Sequence, residues 1–428
     1  MKEIKNAKKT LLSFLDASPT AYHAVFECAK KLGNHGFIEL KEESAWHIAP
    51  GGKYYVIRNG SSIAAFITPK NVPKKLCIAA AHTDSPTFKL KPDPFFVKDN
   101  MEMIGLEVYG SPLITSWLNR DLGIAGRILY TNKEGALQNA LIHFDKAPCI
   151  LAQLAVHLDR DVNDKGLILN KQEHLAALFG FTSLPKDNLF KMMLQVDEEI
   201  DVLSHDLFVY PIEGAATIGL NHEMIASYRL DNLASVSAIL EGLLTNNEAA
   251  NDCINMAVFW DNEEIGSSTA QGASSPFLMQ TVERIMLSLK LSREDYFRII
   301  AKSICASVDL AHSKHPNYSD KHEPSHKVLM SSGIVIKSHA NCRYASDALS
   351  TAPIVAICKK EDIPYQHLVQ RGDIPCGSTI GPLHATLSGM STVDIGIAQL
   401  SMHSAREIIA TADYSHLCRL IKHLFSSN

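Results

Sequence analysis

The chain has 428 residues, with 41 Lys and Arg against 46 Asp and Glu, a formal net charge of −5 and 20% charged positions. With 46% apolar residues it has ample material for a core, which excludes a disordered or fibrous chain. The mildly acidic balance argues against a nucleic-acid partner, because phosphate binding through a broad face demands clustered Lys and Arg.

The start, Met1 to Lys9, is charged, but the apolar stretch that follows, Leu11 to Leu15, is too short for a signal peptide. No run approaches the ~18 apolar residues of a membrane-spanning helix. Nine cysteines, odd in number and without a C-x-x-C, argue against a disulfide framework or a thiolate metal site. A soluble, cytoplasmic protein with no membrane partner is expected.

In chain order, Ser18-Pro19-Thr20 predicts a helix start, with Ser18 capping and Pro19 in the first turn, and Tyr22, Val25, Phe26, Ala29 and Leu32 on one face. Short strand-like segments follow at 53–58 and 62–68, then a compact apolar run at 75–81 that ends at His82. From about Pro92 to Ile218 the character changes. Strand-like pieces at 103–109, 124–130 and 140–144 are joined by an apolar run at 149–158 and polar helical segments near 173–180 and 187–198. From Tyr228 onward, apolar strands (254–260, 304–308, 333–336, 392–397) alternate with amphipathic helices, the last carrying Leu417, Leu420, Ile421 and Leu424. Such alternation predicts an α/β fold: a three-layer catalytic domain with a mostly parallel central sheet, built from 1–91 and 219–428. The segment 92–218 is expected to be an inserted, β-rich domain with helices, serving oligomerisation or as a lid.

Four of the apolar strands run into polar clusters: His82-Thr83-Asp84, Asp261-Asn262-Glu263-Glu264, Asp309-Leu310-Ala311-His312, and His403, expected at a helix start. In open α/β sheets, side chains at the carboxyl ends of strands converge on one crevice. With Asp231 they make a set of imidazoles and carboxylates, without thiolate, that suits zinc and its divalent neighbours. Asp84, two residues from His82, could accept that ring's second N–H. Of Glu263 and Glu264, one can ligate metal while the other serves as general base. Singly, each of these residues has a plainer reading as a cap, a turn or a solvated strand end. Together, all at strand ends, they point to a metal site. The cluster His312, His315, His322 and His326 reads instead as a polar loop.

The sequence resembles the aspartyl aminopeptidases and their relative vacuolar aminopeptidase I, a family of co-catalytic two-zinc exopeptidases. The resemblance rests on Phe14 to Val25, Ala81 to Pro86, Asn119 to Gly123, His157 to Asn163, Asp231-Asn232-Leu233 and Asp261 to Ser267. It continues through Asp309 to His312, His315 to Tyr318, Arg343 to Ser346, Cys376 to Pro382 and Met402 to Glu407. It implies that Asp231 bridges two divalent ions, most simply zinc, with His82 and Asp309 completing one site and Glu264 and His403 the other. Glu263 would be the general base, and Asp84 the partner of His82. A lysine matching Lys337 and a histidine matching His157, the latter reaching a neighbouring subunit's site, are also implied; either His157 or Lys337 is the candidate donor to the oxyanion, and Tyr344 would touch substrate. The implied activity is removal of an N-terminal residue, by preference Asp or Glu, from peptides with a free amine. The implied assembly is a homo-oligomer, a dodecamer built from dimers. Three departures lie outside the metal set: Tyr109 to Trp117 is poorer in glycine, Cys342 stands where glutamine is expected, and Gly372 replaces a larger polar residue. Two rival readings are a two-zinc deacylase acting on a non-peptide amide and a non-catalytic cargo or binding scaffold.

Overall fold

The computed structural model describes residues 2–181, 185–196, 199–246 and 252–426. It divides the chain into two compact units, Met1–Asp84 with Ala215–Met402 and Glu407–Asn428, and Ser85–Gly214 with His403–Arg406.

The first unit is built on a mixed sheet whose order runs Ile38–Leu40, Lys53–Arg58, Ser62–Ile67, Cys253–Trp260, Lys75–His82, Ile304–Val308, Ser391–Leu400. The last four run parallel to one another, and Ser62–Ile67 and Ile334–Ser338 join them antiparallel. Strands buried on both faces read as continuous apolar runs, and here successive residues divide between two cores. Cys77, Ala79 and Ala81 pack with Leu32, Leu240 and Leu420 on one face. Leu76, Ile78 and Ala80 pack with Phe277, Ile285 and Ile299 on the other. Helices thus cover both sides of the sheet, the three-layer arrangement expected. Each large apolar side chain buried this way contributes about 1.5–3 kcal/mol. The register sets Trp260 beside His82 and Val308 beside Ile395, so the residues leaving these strands emerge along one edge.

Two local expectations are corrected. The N-cap position of the helix Ala21–Asn34 is Thr20, whose side chain caps no backbone N–H but lies with its Oγ1 2.8 Å from His23 Nδ1, so Ser18 and Pro19 precede the helix. Its buried face is Tyr22, Ala24, Val25, Cys28 and Leu32, while Phe26 is 55% exposed. The last helix, Thr411–Ser426, buries Leu417, Leu420, Ile421 and Leu424 as the spacing predicts.

Its first turn also holds Asp413, fully buried, which accepts the Ser331 N–H at 2.6 Å and the Gly333 N–H at 2.7 Å. Gly333 has φ +91°, and a side chain there would strike the Pro364 carbonyl, so the turn entering Ile334–Ser338 depends on glycine and on this carboxylate. Asp413→Ala leaves two amides without an acceptor, at about 1–3 kcal/mol each. A lower urea midpoint with an unchanged m-value is expected. A midpoint equal to wild type would mean that the carboxylate is dispensable.

In the second unit, the strands follow the order Leu137–Cys149, Leu122–Thr131, Asp201–Pro211, Thr87–Lys98, Met101–Tyr109, Ala176–Gly180, with every pairing antiparallel. Phe88 and Trp117 meet edge to face at 5.3 Å in its core. The composition change at Pro92 falls inside a continuous strand. The helix expected near 173–180 is instead the strand Ala176–Gly180, because pairing to Met101–Tyr109 overrides a local pattern too short to be decisive. The helix expected over 187–198 is Lys186–Leu194, closed by Gln195 at φ 57°, and residues 197–198 lie outside the described residues. The apolar run at 149–158 is not buried throughout, since Leu154, Val156 and Leu158 are exposed. Among the described residues, no helix is long and apolar enough to cross a membrane.

Candidate metal centre

Three strand ends of the first unit deliver donors. His82 is the last residue of Lys75–His82, Asp309 follows Ile304–Val308, and Glu263 and Glu264 open a short 3-10 turn after Cys253–Trp260. Asp231 lies at the start of Leu230–Thr245, where the backbone is still non-helical, and the Asp231–Asn232 peptide is cis. One donor atom each from His82, Asp231 and Glu264 lie within 4.8 Å of one another. His82 Nε2 is 3.4 Å from Asp231 Oδ1 and 3.6 Å from Asp309 Oδ1. Asp309 also faces Lys337, whose Nζ lies 3.4 Å from Oδ2 and donates to the Leu310 carbonyl at 2.7 Å.

Asp84 does more than the sequence implied. Its carboxylate accepts the backbone N–H groups of Glu263 and Glu264, both at 3.1 Å, and so anchors the turn that carries them. His82 Nδ1 is 3.1 Å from the Asp84 carbonyl and 3.4 Å from its carboxylate. Those contacts orient the ring with Nε2 toward Asp231 and Asp309. Asn262 at φ 63° and Gly266 at φ 94° make the turn tight.

The electrostatics follow from crowding. Burial pushes the Glu263 carboxyl up to about 8, with His82 opposing and Asp309, Asp84 and Asp231 adding to the rise. Burial, then Asp231, raises Glu264 well above its ordinary value, and burial with Asp84 lifts Asp261 to about 7. Burial opposes protonation of His82, yet the carboxylates of Asp231, Asp309 and Asp84 raise its pKa far above normal. Burial would likewise raise Asp309, but Lys337 and His82 hold it well below the carboxylate range. So many acids in a largely buried space lack positive charge, which is what a divalent cation supplies. Asp309 Oδ1 is also buried without a hydrogen-bond donor. On both counts the donor set fits divalent metal.

A family model described as Aminopeptidase I zinc metalloprotease (M18) matches residues 14–425. The chain belongs to the M18 family. It is 38% identical to the probable M18 family aminopeptidase 2 of Clostridium novyi (strain NT), over 97% of this chain and 98% of that one. The structure of the Ape4 and Nbr1 complex contains a chain 34% identical, with a TM-score of 0.93, covering 99% of this chain and 86% of that one. The mApe1 dodecamer of S. cerevisiae is 28% identical with a TM-score of 0.87, covering 100% of this chain and 98% of that one. The chain is therefore a metalloaminopeptidase of the zinc class, a hydrolase of peptide bonds. Of the activities left open by the sequence, aminopeptidase is the one this family carries.

Two of the expected site residues lie outside the first unit. His403 and His157 belong to the second unit. His403 is not at a helix start. It sits in a turn at φ 65°, with Nδ1 3.1 Å from the Ser111 carbonyl, because the chain goes directly into the strand Glu407–Ala410. His157 is exposed in an irregular segment. Tyr344 is buried, its ring 5.6 Å from Lys337 Nζ.

Several buried residues of the centre escaped the sequence reading. Glu407 accepts the Asp231 N–H at 2.9 Å, and Arg229 donates to the carbonyls of Thr83 and Pro19. Behind the Cys253–Trp260 strand, Trp260 Nε1 donates to His384 Nε2 at 2.8 Å, and His384 Nδ1 lies 3.1 Å from Cys305 Sγ. Burial holds the His384 pKa down at about 4, so the ring is neutral and packs as a polar strut. The histidines at 311–326 mostly serve their own loop. His322 accepts the His315 N–H at 3.1 Å, and His326 pairs with Glu323 at 3.0 Å.

Proposed function

We propose that this M18 aminopeptidase works by a co-catalytic two-metal mechanism, in the cytoplasm, on peptides whose N-terminal residue is preferably Asp or Glu. The observation that carries the reading is the convergence of His82, Asp231, Asp309 and Glu264 on one edge of the sheet, with Glu263 alongside. Divalent ions held by these four residues would supply Lewis acidity and the positive charge the carboxylates lack. Glu263 takes the proton of the attacking water and returns it to the departing amine. Asp84 holds the amides of Glu263 and Glu264, so the base keeps its place beside the ligand. Lys337 steadies Asp309 and, with Tyr344 over it, forms a cationic corner suited to an acidic side chain. His157, exposed on the second unit, is available to a neighbouring subunit's site. Exposed Leu154, Val156, Leu158, Ile168 and Phe181 favour the second unit as the oligomerisation element. The S. cerevisiae dodecamer supports an assembly of that size.

A panel of peptides differing in their first residue, each with a free or acetylated N-terminus, tests the activity. Expected is cleavage of free-amine peptides only, with kcat/KM for Asp and Glu on the order of tenfold or more above Ala and Leu. Equal turnover of acetylated peptides would overturn the N-terminal requirement, and a flat profile would overturn the acidic preference. Native mass spectrometry tests the assembly, for which a dodecamer mass is expected and a monomer would refute it.

A further inference from the structure

Asp394, in the strand Ser391–Leu400, is fully buried and plays no part in the mechanism above. Its Oδ1 accepts the Thr379 hydroxyl at 2.6 Å and its Oδ2 accepts the Ala345 N–H at 2.6 Å. Its own N–H donates to Ser346 Oγ at 2.9 Å. The two loops thus joined are 339–347, which follows the strand Ile334–Ser338, and 370–379, which leads into the helix Ile380–Ser388.

These loops also bind each other directly. Arg343 donates to the Cys376 carbonyl from Nε at 3.3 Å and Nη2 at 3.2 Å, and Ser378 Oγ donates to the Arg343 carbonyl at 3.2 Å. Gly381 allows the helix N-terminus to close on the carboxylate, since a side chain there would run into Asp394. The geometry is that of a clamp: short, charge-assisted bonds from neutral donors on two separate segments. What the clamp fixes is the residue before Ala345, namely Tyr344, whose ring lies 5.6 Å from Lys337 Nζ, beside the Lys337–Asp309 pair.

We propose that Asp394 is a positioning residue for substrate: it locks the 339–347 and 370–379 loops together so that Tyr344 keeps its place over Lys337. The inference rests on the reading that Tyr344 and Lys337 meet the substrate's first residue. Asp394 touches no substrate and acts through Ala345 and Thr379.

Steady-state kinetics with an aspartyl peptide, on the full-length protein, tests it with Asp394→Ala, Asp394→Asn, Thr379→Val and Tyr344→Ala. Asp394→Ala is expected to raise KM about ten- to a hundredfold, as loose positioning does, with kcat and zinc content changed far less. Asp394→Asn can accept from Ala345 and donate to Thr379, so it should restore KM to near wild type. Thr379→Val removes one arm while leaving the carboxylate in place, so it reads the clamp even if Asp394→Ala fails to fold. Tyr344→Ala should raise KM, and combining it with Thr379→Val should add little, because both disable one element. Wild-type KM in Thr379→Val and Asp394→Ala, with a raised KM in Tyr344→Ala, overturns the clamp alone. An unchanged KM in Tyr344→Ala overturns the substrate contact, and the clamp with it.

Discussion

Glu263→Gln is expected to reduce kcat by roughly 10³-fold while leaving metal content and peptide KM close to wild type. The substitution keeps the size of the side chain and the backbone N–H that Asp84 accepts, so the turn Glu263–Ile265 should persist. What it removes is the ability to take a proton from water and give it to the leaving amine. The paired measurement is zinc content by elemental analysis on the same preparation. Turnover within tenfold of wild type would refute the base assignment. Full loss of metal would instead make Glu263 a ligand. The companion Glu264→Gln should behave oppositely, losing metal first, because Glu264 belongs to the three-donor group with His82 and Asp231.

The contrast between Glu263 and Glu264 also shows how far the sequence could be read. An apolar run ending in His82, and another ending in Asp261-Asn262-Glu263-Glu264, are legible because parallel strands are buried on both faces and shed polar residues only at their ends. The register that sets Trp260 beside His82 then brings both clusters to one edge. What stayed hidden has a common physical character. Glu407, Arg229, Asp394 and His384 are buried polar residues whose partners are backbone groups or side chains far away in the chain. Such pairings leave no periodicity. Cys305 illustrates this: no base stands near it in sequence, yet His384 lies 3.1 Å away. The strand Ala176–Gly180 was missed for a related reason, since its conformation is decided by the neighbour it pairs with. The turn at His403 was missed because a positive φ at a non-glycine residue leaves only the weak mark of a histidine, asparagine or aspartate.

Removal of metal is the second large effect, and it should change stability as well as activity. The centre packs Asp84, Asp231, Asp261, Glu263, Glu264 and Asp309 around three cationic groups, His82, Lys337 and Arg229. With metal bound, the excess negative charge is offset, and a ligand present at 1,000 times its dissociation constant stabilises the fold by about 4 kcal/mol. With metal stripped by a chelator, activity should vanish and the thermal midpoint should fall, both returning on addition of zinc. Glu264→Gln separates repulsion from simple loss of a ligand. In the metal-loaded state it should be less stable than wild type, because a donor is gone. In the stripped state the order should reverse or level, because burial and Asp231 make the Glu264 carboxylate costly without metal, a cost that His82 offsets only in part. Thermal midpoints of both proteins, with and without chelator, decide the matter. If the variant is less stable by the same margin in both states, crowded negative charge is not what the metal relieves, and the carboxylates of this cluster are held by the protein's own hydrogen bonds.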